Sequence, residues 1–168
     1  VKPVYEIAAA RPQDLALLPT IEQAAGMMYS ETPYPQMADG PNVSKDFDLT
    51  RDRAWVIAAN GDPVGFVIVR EFADAVHIHE IDVHPRCARR GLGRQLIEHV
   101  AAWARTKRAT KLTLTTFGDV PWNGPYYSRL GFSTIPVDTL SERLRETLQA
   151  EAAAGFPMTH RVAMQLIL

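Results

Sequence analysis

Leu15, Leu18, Ile21, Ala24, Ala25 and Met28 recur at intervals of three and four, the period of one apolar helix face. The spacing predicts an amphipathic helix over 14–29 with Asp14 as its N-cap. Residues 33–50 interrupt the pattern with Pro33, Pro35, Pro41, Gly40 and Asn42, and read as a loop or short broken helix. Two apolar runs follow, 54–59 and 64–69, split by Asn60-Gly61-Asp62-Pro63, which reads as strand, tight turn, strand. A third strand covers 76–83. After a glycine-bearing loop, Leu92, Leu96, Ile97, Val100, Ala101 and Ala104 share one helical face. A strand is expected at 112–116, a short helix at 125–130 closed by Gly131, and a strand at 132–135. Leu140, Leu144 and Leu148 mark a further helix over 138–154, ended by Gly155-Phe156-Pro157, and 161–168 is a last strand. The order α, β-β-β, α, β, α, β, α, β describes an α/β chain. Its strands form a central mixed sheet with helices on both faces, as one domain over 1–168.

Composition narrows the class. At 168 residues the chain has the size of one domain. A core of that size buries roughly 70% of the extended chain's surface without staples. Apolar residues make up 46% and the net charge is −1. That balance excludes a disordered chain and gives no basic footprint for nucleic acid. No apolar run approaches the roughly 20 residues that span a bilayer, and Val1-Lys2-Pro3-Val4-Tyr5-Glu6 lacks the layout of a signal peptide. The expectation is a cytoplasmic domain with neither a membrane nor a nucleic-acid partner. The lone cysteine, Cys87, excludes an internal disulfide and a cysteine-based zinc site.

The most informative stretch is Val83-His84-Pro85-Arg86-Cys87-Ala88-Arg89-Arg90-Gly91-Leu92-Gly93-Arg94, between a strand and a helix. Free amides and the helix dipole favour an anion there. Gly91 and Gly93 allow close approach, and Arg89, Arg90 and Arg94 add positive charge. A solvated basic loop with an ordinary glycine turn is the plainer alternative. A dinucleotide fingerprint fails because Leu96 stands where a third small residue belongs, and no Gly-Lys-Ser/Thr exists for a Walker loop. The stretch resembles the GNAT superfamily of acyl-CoA-dependent N-acetyltransferases, whose signature Gln/Arg-x-x-Gly-x-Gly/Ala aligns with Ala88-Arg89-Arg90-Gly91-Leu92-Gly93. Ala88 departs from the pattern at its first position, where Arg86 or Arg89 would supply the cation. Tyr126-Tyr127-Ser128-Arg129-Leu130-Gly131-Phe132 resembles the second signature, and together the two span 54–135. The resemblance implies the GNAT acyl-CoA N-acyltransferase fold, with acetyl-CoA as cosubstrate and its pyrophosphate on residues 88–94. It also implies that the backbone of Ile81 and Val83, flanking Asp82, pairs with pantetheine amides like an added strand. Asn123 either caps the short helix or contacts the pantetheine arm.

Acetyl transfer to an amine needs a base, because an ammonium with pKa near about 10 cannot attack, and an acid for the departing thiolate. His77 and His79 lie two apart on a strand and share a face unless a bulge intervenes. They are either paired bases or half-buried histidines with ordinary hydrogen bonds. The run His77-Ile78-His79-Glu80-Ile81-Asp82-Val83-His84, with Pro125-Tyr126-Tyr127, resembles the aralkylamine branch of the superfamily. There paired histidines relay the amine's proton to solvent; elsewhere in the superfamily the position of His77 often carries a glutamate. A metal is not expected, since His-x-His lacks a third ligand and Glu80 points to the opposite strand face. Glu80 and Asp82 share that other face, to meet a cationic substrate or a polar neighbour. By resemblance Tyr127 is the general acid, while Tyr126 reads as a core aromatic. Cys87 has no base nearby in sequence, so direct attack in a ternary complex is expected rather than a thioester on the enzyme.

The acceptor pocket of this fold follows the first helix. Here that region offers Met27, Met28, Tyr29, Pro33, Tyr34, Pro35 and Met37, a lining suited to a small primary amine on an apolar or aromatic body. Asp39, Asp46 and Asp48 would change that judgement if they face inward. The rival readings are a protein or peptide N-acetyltransferase with an open groove, and a coenzyme-sensing module without turnover. The 138–154 helix is expected to serve a homodimer contact or to cover the acceptor site.

Overall fold

In the computed structural model, which describes residues 3–48 and 50–168, the chain opens with a strand, β1 (Tyr5–Ala9), absent from the expected order. Val1, Lys2 and Leu49, which fall in the stretch read for a signal and in the 33–50 loop, lie outside the described residues. β1 is an alanine-bearing edge strand with little buried surface, so it carries no hydrophobic alternation to betray it. It is held by pairing Tyr5 with Ala59 through Ala9 with Trp55.

The expected 14–29 helix is broken. α1 (Pro12–Leu15) ends before α2 (Leu18–Gly26), and a 3-10 turn follows over Met27–Glu31. Pro19 sits in the first turn of α2; lacking an N–H, it starts a helix there rather than continuing one. Asp14 is not the N-cap. Arg11 holds that position, and the buried Asp14 carboxylate accepts its backbone N–H at 2.8 Å and its Nε at 2.9 Å. Two further 3-10 turns, Pro35–Asp39 and Val43–Asp46, fill the proline-rich segment.

β2 (Asp52–Ala59) and β3 (Asp62–Glu71) form the expected hairpin. Its loop is two residues, Asn60 and Gly61, both with positive φ (51° and 93°), as a right-twisted hairpin requires. Asp62 and Pro63, expected in the turn, begin β3 instead. β4 (Ala75–Val83), α3 (Leu92–Thr106), β5 (Lys111–Phe117), α4 (Gly124–Arg129), β6 (Ser133–Thr134), α5 (Glu142–Ala153) and β7 (Arg161–Ile167) complete the chain. Among the described residues the strands form one sheet in the order β1-β2-β3-β4-β5-β7-β6, parallel at β4/β5 and antiparallel at its other pairings.

The periodic face of α3 is buried as expected: Leu92, Leu96, Ile97, Val100, Ala101 and Ala104 pack on Val67, Val69, Val76, Ile78 and Leu112. Burying each large apolar side chain here stabilises the fold by about 1.5–3 kcal/mol. On the opposite sheet face Leu18 and Ile21 of α2 cover Ala54, Val56, Phe66 and Ile68. α5 packs on that same side, its Leu144 and Leu148 meeting Ile135, Leu140 and the β7 residue Ala163. Among the described residues no helix is long and apolar enough to cross a membrane.

Candidate active site

β4 and β5 pair in parallel at Ala75, Val76 and His77 with Lys111, Leu112 and Thr113, and not beyond. β5 stays with β7 as far as Phe117, whereas the rest of β4 keeps β3 as its neighbour. The two central strands therefore part after His77 and open a cleft of about 710 Å³. Ile81, Asp82 and Val83 line it on an edge that β5 leaves unpaired, where the Ile81 amide donates to the Glu80 carboxylate at 3.3 Å and an amide-bearing ligand could extend the sheet in its place.

At the mouth of the cleft, Gly91 takes the left-handed conformation (φ 76°) as the N-cap of α3, and Arg89 is also left-handed (φ 59°). The amides of Leu92, Gly93 and Arg94 form the first helical turn and have no carbonyl within the helix to meet. With the dipole they make an anion cradle. Gly93 is required by space: a Cβ there would stand 2.9 Å from the Tyr126 Oη. Ala88, Arg89, Gly91, Leu92 and Gly93 all line the cleft. Two of the three expected arginines turn elsewhere. Arg90 donates to the Tyr5 hydroxyl at 2.8 Å, and Arg94 pairs with Glu98 at 3.4 Å on the exposed helix flank. The residues that remain fit a pyrophosphate held by backbone amides with Arg89.

A β-bulge rearranges the predicted acid–base groups. Val69 pairs with Ile78 and Ile68 with Glu80, so His79 is the extra residue of β4. The slip reverses the alternation beyond it. Glu80 and Asp82, expected opposite His77, lie on the same face as His77, the face of α2. The reason for setting Glu80 aside as a third ligand fails with it; still, among the described residues no group of three such side chains is gathered to hold a metal ion.

His77 is 5% exposed and lies behind the cleft wall, its Nδ1 2.9 Å from the Thr113 Oγ1. Burial, with His79 and two arginines as lesser causes, lowers its pKa to about 3, so the ring is neutral. The expected pair thus presents one imidazole to the cleft. His79 lines it, its ring 6.5 Å from that of His77, and burial and Arg70 lower its pKa.

Glu80 lines the cleft with its pKa raised to about 8 by burial and the Glu22 carboxylate, against the opposing pull of Arg161. Burial and the Glu80 charge push Asp82 up as well. Two carboxyls so close share protons rather than ionise together. Glu22, which sequence reasoning missed, is fixed on α2 by accepting the Val43 and Ser44 amides at 2.6 and 2.8 Å. Tyr127 approaches from α4, 8% exposed, with its hydroxyl held protonated by burial and by the Glu80 charge. Its helix is set by Gly124, where a Cβ would stand 2.8 Å from the Gly118 backbone.

One end of the cleft is aromatic. Met28 and Tyr29, expected at the acceptor, line the cleft there with Met37 and Asp39. Tyr29 lies edge-on to Phe117 and Trp122, each at 5.8 Å. Asn123 neither caps α4 with its side chain nor hangs free; its amide donates to the Tyr29 hydroxyl at 2.5 Å. Tyr34 stays outside the lining. Its ring stacks on Phe117 at 4.3 Å and its hydroxyl donates to Asp119, so it backs the wall. Asp46 and Asp48 do not face the cleft. Phe117, Trp122, Phe156 and Arg161 do, and no local motif announced them, because they come from four separate places in the chain.

A model of the acetyltransferase (GNAT) family matches residues 20–132, more than half of the chain. The ribosomal-protein-S18-alanine N-acetyltransferase from Escherichia coli superposes with a TM-score of 0.71 at 22% identity, over 98% of this chain and 94% of that one. The PaiA N-acetyltransferase from Thermoplasma acidophilum, in complex with coenzyme A, gives 0.74 at 11% identity, over 98% and 99%. N-acetylglutamate synthase from Neisseria gonorrhoeae, complexed with coenzyme A and N-acetyl-glutamate, gives 0.68 at 17% identity, over 98% of this chain and 35% of that one. At these identities the shared property is the fold, a mixed sheet flanked by helices.

Proposed function

The chain belongs to the acetyltransferase (GNAT) family and is an acyl-CoA-dependent N-acetyltransferase; from that premise we propose that it acetylates the primary amine of a small molecule. An acceptor with an aromatic or apolar body is favoured, an aralkylamine or related monoamine. The observation that carries the reading is one cleft with a basic carboxylate, Glu80, and a buried phenol, Tyr127, enclosed by Tyr29, Trp122 and Phe156, with the buried Phe117 behind them. Aromatic walls suit an aromatic acceptor. This lining, not His77, is what supports the aralkylamine resemblance.

Acetyl-CoA supplies the acetyl group as a thioester, and transfer forms a C–N bond as the C–S bond breaks. The amides of Leu92, Gly93 and Arg94 with Arg89 bind its pyrophosphate, and Ile81 and Val83 orient the pantetheine arm. Glu80, when ionised, takes the proton of the acceptor's ammonium. His79 passes protons onward to water, and His77, kept neutral against Thr113, buttresses it. Tyr127 donates its proton to the departing sulfur. Cys87 borders the cleft but is 7% exposed and packed in the α3 core cluster, which suits direct attack in a ternary complex.

Acetylation of a protein or peptide N-terminus is the second reading, favoured by the fold shared with the S18-alanine enzyme. It uses the same steps and differs in what lies beyond the amine. The test is free-thiol release from acetyl-CoA with aralkylamines, polyamines, an aminoglycoside, amino acids and a short peptide. Turnover with a small amine upholds the proposal and turnover with the peptide alone replaces it. Coenzyme binding without turnover on any member would favour a sensing module.

A further inference from the structure

Arg161 is the one arginine of β7, and its surroundings are unusual for a structural ion pair. Phe117 and Phe156 flank its guanidinium, with ring centroids 4.8 and 4.7 Å away. Glu151 of α5 takes two of its nitrogens, Nε and Nη2, each at 2.9 Å. The Thr115 hydroxyl donates to Glu151 and fixes that carboxylate in turn. The remaining nitrogen, Nη1, has no partner among the described residues and is not sealed from solvent. Arg161 lines the same cleft as Glu80, closely enough for its charge to act on that carboxyl. Arginine held this way offers one free edge in a fixed direction, the arrangement that recognises a carboxylate with little further ordering.

Building on the small-amine reading, we propose that the acceptor is an α-amino acid with an aromatic or apolar side chain, its carboxylate bound by Arg161 while its amine is presented to Glu80. The two ends of such a molecule match the two ends of the site. The carboxylate meets the guanidinium, the ammonium meets the Glu80–Asp82 carboxyl pair, and the side chain rests against Tyr29 and Trp122, which Phe117 backs from the buried side. A net-neutral dipolar acceptor also leaves the paired charges of Arg161 and Glu151 in balance. A polyamine has nothing to offer Arg161 and brings a second cation against it.

Three matched acceptors test this on the wild-type protein: phenylalanine, its methyl ester and phenethylamine, compared by kcat/KM for thiol release. Phenylalanine is expected to exceed both others at least tenfold. Esterification also makes the amine less basic, which by itself favours the ester, so a preference for the free acid reads the carboxylate directly. In Arg161→Gln the ratio of phenylalanine to phenethylamine is expected to collapse at least tenfold, chiefly through KM, and Arg161→Lys to restore part of it. Equal or better use of phenethylamine by the wild type overturns this inference and leaves the small-amine reading intact. Acetylation of a short peptide with none of the three accepted overturns both. An Arg161→Gln variant that is folded and keeps the full wild-type ratio overturns the role of Arg161.

Discussion

Glu80→Gln separates what the cleft does in catalysis from its effect on the fold. Burial and Glu22 raise the Glu80 pKa to about 8, against an ordinary value of 4.5. The unfolded chain releases this proton near 4.5 and the native state holds it up to about 8. The stability contribution is therefore complete below pH 4.5 and is lost as pH climbs to 8. At about 1.36 kcal/mol per pH unit, the loss between pH 4.5 and pH 7 is at most about 3–4 kcal/mol. Water in the open cleft screens part of it, leaving about 1–2 kcal/mol. Glutamine keeps the shape and is neutral in both states. The variant is expected to match the parent near pH 4.5 and to be about 1–2 kcal/mol more stable at pH 7. Its kcat should fall by about 10²-fold or more with the base removed. Urea unfolding followed by tryptophan fluorescence at pH 4.5, 6, 7 and 8, beside thiol release at pH 7.5, measures both. A stability difference that does not change with pH would refute the buried-carboxyl argument, and parental turnover would refute the catalytic one.

Tyr127→Phe should lower kcat about tenfold or more and leave coenzyme affinity nearly unchanged, as read by thiol release and by calorimetric titration with coenzyme A. Unaltered turnover would remove the phenol from the mechanism. His77 should give imidazole NMR shifts that stay flat from pH 8 to pH 4, since its pKa is lowered to about 3. Unfolded, it protonates near 6.5, so its contribution to stability is full above that pH and declines on acidification. A ring titrating near 6.5 in the native protein would contradict its burial. Gly124→Ala places a Cβ 2.8 Å from the Gly118 backbone, and backbone cannot step aside as a side chain would. A loss of about 1–3 kcal/mol in urea unfolding is expected, and an unchanged midpoint would show that α4 shifts freely. Leu96→Ala, at a fully buried position of α3, should cost about 2–5 kcal/mol in the same assay.

Local chemistry made much of the scaffold readable. The three-and-four spacing of Leu92 through Ala104 specified α3 and its buried face, because a helix brings those positions together whatever lies around it. Asn60-Gly61 specified the hairpin through the positive φ that both residues tolerate. Gly91 marked the left-handed start of α3 and Gly93 the close approach of the Tyr126 hydroxyl, each a place where a side chain is disfavoured. Arg90 and Arg94 were legible as charge, but their partners Tyr5 and Glu98, which direct them away from the cleft, were not.

The order of groups within the site depended on tertiary structure. A single extra residue at His79 decides which sheet face Glu80 and Asp82 take, and strand alternation read from sequence assumes that no such residue exists. β1 is a strand because β2 offers it an edge, not because its own residues demand it. Arg161, Glu151, Phe117 and Phe156 meet only when β7 inserts beside β5 and α5 folds across them. Turns and helix faces are fixed by contacts a few residues apart, so the sequence by itself determined them. The parting of β4 from β5, the bulge and the aromatic clamp arise from pairings between distant segments, whose register no local pattern encodes.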